Sequence, residues 1–136
     1  MKYSLSLFFI LFLSITTITS QAQHKVIWDM SLGDTTAQKG LYKQLNNVLT
    51  ASPGIQIEVV FHNNAVYAML KDTGYFKTQI LDLRKKGIVF AVCNNSLKAR
   101  NIDAARVIPE AVVVPAAIIE IVQKQEEHWS YIKAGN

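Results

Sequence analysis

Apolar residues along the chain switch between runs typical of strands and spacings typical of helices. Residues 25–30 form a short β-prone run, and Asp34-Thr35-Thr36 then offer side-chain oxygens that can cap a helix. Within that predicted helix, apolar residues recur at three- and four-residue spacing until Pro53-Gly54 ends it. The apolar face consists of Ala37, Leu41, Leu45, Val48 and Leu49. The pattern predicts a strand followed by a helix.

A second strand and two further helices are predicted next. Residues 55–61 are almost continuously apolar, which is typical of a strand covered on both faces. Residues 65–70 carry the apolar face of a short helix, and Gly74 breaks it. Another helix is predicted over residues 78–86, with Gly87 as its C-terminal cap.

The most apolar strand is predicted over residues 88–92, and we expect it in the middle of the sheet with Cys93 at its carboxyl end. A short helix over residues 96–100 is expected to follow. A further strand over residues 112–114 leads into a last helix that runs from residue 116 to about residue 128.

Strands that alternate with helices predict an α/β fold in one domain. We expect a three-layer sandwich in which helices cover both faces of a mostly parallel sheet of roughly four or five strands. Residues 129–133 are compatible with a terminal strand or with a packed tail, and the pattern does not choose between them.

The first residues carry the pattern of a secretory signal. Met1-Lys2 gives a positive start, residues 5–13 are apolar, and Ser20-Gln21-Ala22 places small residues where a signal peptidase cleaves. An uncleaved membrane anchor is the alternative, but the apolar run is well short of the ~20 residues that span a bilayer. We therefore expect a signal peptide over residues 1–22, a domain over residues 23–136, no stable membrane anchor, and export to the periplasm in a Gram-negative cell.

Charge and missing motifs narrow the function classes. The chain has 14 Lys and Arg against 10 Asp and Glu, and the basic residues are scattered, so nucleic-acid binding is not expected. The chain contains no Gly-x-Gly-x-x-Gly, Walker, Cys-x-x-Cys or Gly-x-Ser-x-Gly motif, and its three histidines are far apart. The sequence therefore predicts no bound cofactor and no metal.

The candidate chemistry lies at the carboxyl ends of the predicted strands, where open α/β sheets bind ligands. The candidate catalytic residues are Cys93 and His62, and the candidate ligand-binding residues are Asn63, Asn94, Asn95, Ser96 and Lys98. A thiol at the start of a helix is favoured as a thiolate, the form that attacks or carries sulfur. The alternatives stay open: Cys93 as a packing residue, His62 as a cap, and the Asn pairs as turns.

Residues 86–102, with the run Val92-Cys93-Asn94-Asn95-Ser96, resemble the DsrE/DsrF-like family, which includes subunits of the Dsr and Tus sulfur-relay complexes. Residues 45–49, 57–62, 113–116 and 129–132 support the resemblance. It implies a compact DsrE-like fold, assembly into homo-oligomers such as trimers or hexamers, and a cysteine that carries a persulfide in some members, here Cys93. The relay subunits work in the cytoplasm, so their acceptors cannot be transferred to an exported chain.

Three hypotheses follow. The first is a periplasmic sulfur carrier, at most sulfurtransferase-like, with a persulfide on Cys93, the backbone of residues 94–96 as an anion cradle, His62 as a proton acceptor, and a sulfur donor or acceptor protein as partner. The second is a non-enzymatic ligand-binding or assembly module in which Cys93 is structural. The third is a redox role in which the lone thiol forms mixed disulfides.

Overall fold

The computed structural model describes residues 23–135, and the predicted signal peptide lies outside this range. The predicted α/β class is confirmed, because one sheet of five strands is parallel throughout, in the order β4-β3-β2-β1-β5. The strands are β1 (Lys25–Met30), β2 (Gln56–Phe61), β3 (Val89–Cys93), β4 (Ala111–Val114) and β5 (Ser130–Lys133). The α-helices are α1 (Thr35–Ala51), α2 (Lys77–Lys85), α3 (Asn94–Lys98) and α4 (Ala117–Glu126).

Helices cover both faces of the sheet. On one face, Leu41 and Leu45 of α1 and Ile80 of α2 join the larger cluster of buried apolar side chains, which also contains Phe61 of β2. On the other face, a smaller cluster packs beneath α4 and consists of Ile27, Val60, Ala91, Cys93, Val114 and Ala117. Since side chains alternate along a strand, Cys93 lies on the α4 side of the sheet.

Local signals in the sequence fix two helix ends. Asp34 caps α1, because its Oδ1 accepts a hydrogen bond from the N–H of Ala37 at 2.8 Å. Gly87 follows α2 with φ of +94°, its N–H donates to the carbonyl of Arg84, and the N–H of Ile88 donates to the carbonyl of Leu83. This is the Schellman arrangement, so the prediction of a Gly87 cap is confirmed.

Several boundaries differ from the predicted ones. The short helix predicted over residues 65–70 is a 3-10 helix, Asn63–Met69, in which the N–H of Ala65 donates to the carbonyl of His62. Apolar spacing over so few residues does not distinguish the two helix types. The helix predicted from residue 96 begins at Asn94, directly after Cys93.

The prediction that residues 88–92 form the middle strand is wrong, since β2 holds the centre and β3 lies between β2 and β4. β2 carries a charged residue, Glu58, which is only 5% exposed. Because of this residue, the sequence of β2 is less apolar than that of β3. Residues 130–133, left open by the pattern, form β5, which pairs with β1 at one edge of the sheet.

Candidate functional site

Cys93 ends β3 and directly precedes α3, at the carboxyl edge of the sheet. Val114 on β4 pairs with Cys93 in register. On the other side, Phe61, the last residue of β2, pairs with Val92, so His62, which follows β2, lies next to Cys93 along the sheet edge. The residue is 5% exposed. The fold therefore places the thiol where parallel sheets bind ligands, but with little surface open to solvent in the single chain.

Hydrogen-bond donors surround the sulfur. The N–H of Ala117, at the start of α4, donates to Cys93 Sγ at 3.3 Å. Burial raises the pKa of the Cys93 thiol, while hydrogen bonds from the Ser96 hydroxyl and the Ala117 N–H lower it. The backbone N–H groups of Ser96 and Asn95 lower the pKa of Cys93 further, so that it lies below its ordinary value of 9.0. These donors favour the thiolate over the thiol.

The Ser96 hydroxyl is itself held in place. It accepts a hydrogen bond from the N–H of Asn63 at 2.9 Å, which leaves its own proton to be donated to the sulfur. Asn63 has φ of 50°, a left-handed conformation that Asn tolerates better than most residues. The turn after β2 thus supports the donor that acts on Cys93.

Arg100 ties this turn to α3. Its guanidinium donates to the carbonyl of Ser96 at 3.2 Å, to Oδ1 of Asn64 at 2.9 Å, and to Oδ1 of Asn63. All of these acceptors are neutral. Arg100 therefore fixes the geometry around Ser96 and brings a positive charge to this edge of the sheet.

His62 meets an acid from the neighbouring strand. Its Nε2 lies 2.5 Å from Oδ1 of Asp29 on β1, and the other carboxylate oxygen, Oδ2, accepts a hydrogen bond from the Tyr131 hydroxyl at 2.7 Å. The bond with His62 lowers the pKa of Asp29, burial raises it, and the bond from Tyr131 and the charges of His62 and Lys133 lower it. The net pKa of Asp29 lies below its ordinary value of 3.8, so the carboxylate is ionised at neutral pH.

The predicted candidates divide into three groups. Hydrogen bonds join Asn63 to Ser96 and Ser96 to Cys93 at one edge of the sheet, whereas His62, at the same edge, is hydrogen-bonded to Asp29. Asn95 contributes its backbone N–H rather than its amide side chain. Asn94 opens α3, and Lys98 is exposed in its last turn.

The sequence analysis did not place Asp29, Arg100 or Tyr131 among the candidate site residues. The spacing of Asp29 and His62 carries no sign of their pairing, but the parallel register of β1 and β2 does, since Met30 pairs with Phe61. Tyr131 reaches Asp29 across 102 residues of sequence because β5 lies beside β1. A prediction that β5 joins the sheet next to β1 would have found it.

Among residues 23–135, no group of three or more His, Cys, Asp or Glu side chains is arranged to hold a metal ion. Within the same range, no helix combines the length and the apolar character needed to cross a bilayer.

The protein is a single-domain α/β protein with a parallel five-stranded sheet and a hydrogen-bonded cysteine at the end of one strand. The family model that matches is the DsrE/DsrF-like family, over residues 21–134. The chain belongs to this family, and its fold is therefore one related to sulfur relay.

Solved structures show the same fold. A protein of unknown function from Methanobacterium thermoautotrophicum, MTH1491, has a TM-score of 0.78 and 24% identity, over 82% of this chain and 99% of its own. A conserved protein of unknown function from Bacteroides thetaiotaomicron, BT1422, has a TM-score of 0.65 and 15% identity, over 80% and 93% of the two chains. The ychN protein of E. coli has a TM-score of 0.64 and 14% identity, over 82% and 98%. No curated protein sequence gives a significant match.

Proposed function

We propose that this protein is a periplasmic sulfur carrier that holds a persulfide on Cys93. The observation that carries the proposal is the set of four hydrogen-bond donors around a sulfur that is 5% exposed. A thiol that serves only packing needs no such donors, because the neutral group is a weak hydrogen-bonding partner. A thiolate or a persulfide anion does need them, since burial of an unpaired charge is costly.

The chemistry is an exchange of the sulfane sulfur, without net oxidation. The Cys93 thiolate attacks the outer sulfur of a donor persulfide or of thiosulfate, and a bond forms between Cys93 Sγ and that sulfur. The bond inside the donor breaks, and the donor leaves as a thiolate or as sulfite. An acceptor thiolate then attacks the outer sulfur and releases the Cys93 thiolate.

The surrounding residues would support both steps. The N–H groups of Asn95 and Ser96, which act on the sulfur, would serve as the cradle for the charge that moves onto the outer sulfur. Since Phe61 of β2 pairs with Val92, His62, which follows β2, lies next to Cys93 and would take up the thiol proton. Activity of this kind makes the protein at most sulfurtransferase-like, with a donor and an acceptor protein as partners.

Intact mass spectrometry tests the proposal. The mature protein is incubated with thiosulfate and, separately, with a small-molecule persulfide, under anaerobic conditions. We expect the wild type to gain the mass of one sulfur atom and to lose it again when a reductant is added. Cys93→Ser should gain no sulfur. A wild-type chain that gains no sulfur from either donor contradicts the proposal.

Export is part of the proposal and rests on the N-terminal pattern. Cleavage after Ala22 would leave a chain that begins at Gln23. Fractionation of cells that express the full chain, followed by N-terminal sequencing, should recover this mature form from the periplasm. Recovery of the uncut chain from the cytoplasm would contradict export.

The low exposure of Cys93 favours a second candidate, an assembly or ligand-binding module in which the cysteine is structural. Under this alternative, Cys93→Ala leaves oligomer size and ligand binding intact, and the native thiol resists iodoacetamide. Under the sulfur-carrier proposal the native thiol reacts, and its reaction rate follows the thiolate fraction as the pH changes.

We also propose that the chain forms a homo-oligomer, as the family resemblance implies. Apolar side chains are exposed on β4 and α4, and we call them together the β4–α4 surface. Its residues are Val112, Ile118, Ile119 and Val122, with Ile118 73% exposed. Exposed apolar side chains grouped on adjoining elements are typical of a surface that another chain covers.

A further inference from the structure

Four side chains at the carboxyl edge of the sheet lie on one face. Ile27, Val60 and Ala91 belong to the cluster beneath α4, and Asp29, His62 and Cys93 each follow one of them by two residues. Since alternate residues of a strand point to the same side, these three side chains share the α4 face. Tyr131 pairs with Ile27 in register and shares that face too. A polar row therefore crosses β5, β1 and β2 and ends beside Cys93 on β3.

The hydrogen bonds in this row fix which ring nitrogen of His62 carries a proton. Asp29 is 8% exposed and ionised, and an ionised carboxylate can only accept hydrogen bonds. His62 Nε2, at 2.5 Å from Oδ1, must therefore be the donor. In the neutral ring the other nitrogen, Nδ1, is then unprotonated and able to accept a proton.

Tyr131 completes the arrangement. Its hydroxyl donates to Oδ2 of Asp29 at 2.7 Å, and this bond raises the pKa of Tyr131, which keeps the phenol protonated. Asp29 thus has a fixed donor on each oxygen. Its carboxylate cannot rotate without breaking one of these bonds, so the ring of His62 is held in one orientation.

We infer that Asp29, supported by Tyr131, is a positioning residue that holds His62 as the Nε2–H tautomer and leaves Nδ1 to accept the proton of Cys93. This inference rests on the proposed function of Cys93 as a sulfur carrier. In the step, the S–H proton of Cys93 moves to Nδ1, the electron pair stays on the sulfur, and Asp29 stabilises the resulting imidazolium. The charged and titratable groups that act on Asp29 are His62, Tyr131 and Lys133.

Nitrogen-15 NMR of the histidine rings tests the tautomer directly, without any assay of sulfur transfer. The chain has three histidines, and a His62→Gln variant assigns the signals of His62. We expect the neutral ring of His62 in the wild type to show Nε2 protonated and Nδ1 unprotonated. Asp29→Asn should yield a mixture of tautomers, and Asp29→Glu should restore the wild-type state in part.

The rate of Cys93 alkylation against pH provides the second readout. At neutral pH we expect Asp29→Asn to react about 3- to 10-fold more slowly than the wild type, with a profile displaced to higher pH. Tyr131→Phe should show a smaller effect in the same direction, and it keeps the inference testable if Asp29→Asn does not fold. Asp82→Asn, on the exposed side of α2, is the matched control and should leave both readouts unchanged.

The outcomes separate this inference from the proposed function. A wild-type His62 protonated on Nδ1, or a tautomer and alkylation profile that Asp29→Asn does not alter, overturns the inference even if Cys93 gains sulfur normally. If the tautomer and the alkylation profile change as expected while the wild type gains no sulfur, the positioning role of Asp29 stands and the sulfur-carrier proposal fails.

Discussion

At the scale of single residues, the environment of Cys93 combines two opposed effects. Burial disfavours a charged sulfur, whereas the donors from Ser96, Ala117 and Asn95 favour it, and the donors prevail. The Ser96 hydroxyl is the one donor among them that a side-chain substitution can remove. It is therefore the residue through which the state of the thiol can be tested most directly.

Ser96→Ala should raise the pKa of Cys93 and slow its reaction at neutral pH. Loss of one hydrogen bond to a charged group is worth about 1.5 kcal/mol or more, which corresponds to roughly a tenfold lower thiolate population. Iodoacetamide alkylation followed by mass spectrometry measures the rate across pH. Ser52→Ala, at the end of α1, is the control and should react like the wild type. Equal rates for wild type and Ser96→Ala would exclude a thiolate stabilised by Ser96.

The sequence predicted the position of Cys93 because a run of apolar residues ending in a polar turn carries its own signal. It did not predict the pairing of Asp29 with His62, since that contact depends on how two strands align. The contact of Tyr131 with Asp29 was not predicted either, because it requires β5 to join the sheet beside β1. Local patterns specify elements, whereas contacts between elements follow from register.

At the scale of elements, a contact between Lys124 and Glu58 joins α4 to the central strand of the sheet. Glu58 of β2 has a side chain that is 6% exposed, and Lys124 Nζ of α4 lies 3.3 Å from its Oε2. Burial raises the pKa of Glu58, Lys124 lowers it, and the nearby carboxylate of Glu120 raises it, with a resulting pKa of about 7. The central strand thus carries an acid that titrates near neutral pH.

Glu58 should make stability depend on pH. Because its pKa rises from 4.5 in the unfolded chain to about 7 in the folded one, the folded state holds more protons between these values. Its contribution to stability is fully present below pH 4.5 and is lost as the pH rises through about 7. Between about pH 5 and about pH 8, the free energy of unfolding of the wild type should fall by ~1–3 kcal/mol relative to Glu58→Gln.

Urea unfolding of both proteins across this pH range measures the difference. Glu126→Gln, on the exposed side of α4, is the matched control and should keep the wild-type dependence on pH. Parallel pH profiles for the wild type and Glu58→Gln would show that Glu58 does not hold its proton in the folded chain.

Substitution of two glycines tests the assigned end of α2. Gly87, with φ of +94°, ends α2, whereas Gly40 lies within α1, and a Cβ atom at either position would have no atom within 4 Å. The effect of substitution by alanine is therefore conformational. Gly87→Ala should destabilise the fold by about 1 kcal/mol, and Gly40→Ala should stabilise it by about 0.5–1 kcal/mol. Denaturant unfolding measures both, and changes of the same sign would contradict the assigned cap.

Element type was predicted better than element boundaries or order. Asp34 correctly predicted the start of α1, and Gly87 correctly predicted the end of α2, because capping is a local interaction. The start of α3 was placed two residues late, because Asn94 and Asn95 resemble turn residues and the helix has only five residues. The central position of β2 was missed, because the partner of its buried Glu58 is Lys124, a residue of a different element.

At the scale of the whole molecule, the thiol and the β4–α4 surface lie close together. Ala117, whose N–H donates to Cys93 Sγ, is followed directly by Ile118 and Ile119, which are 73% and 54% exposed. A chain that covers this surface would therefore pack next to the start of α4, where the N–H of Ala117 donates to Cys93 Sγ. Assembly would shape the access to Cys93, which a single chain leaves almost closed.

Ile118→Lys should weaken the proposed homo-oligomer, because a buried apolar contact is replaced by a charge that must lose its water. Light scattering coupled to gel filtration should show a smaller assembly for this variant at a concentration where the wild type is associated. Tyr75→Lys is the matched control, since Tyr75 is 81% exposed and lies outside the β4–α4 surface. If the wild type is a monomer, or if both variants keep the wild-type mass, the β4–α4 surface is not the interface. If Ile118→Lys alone dissociates and its Cys93 also reacts faster with iodoacetamide, the covering chain restricts access to the thiol.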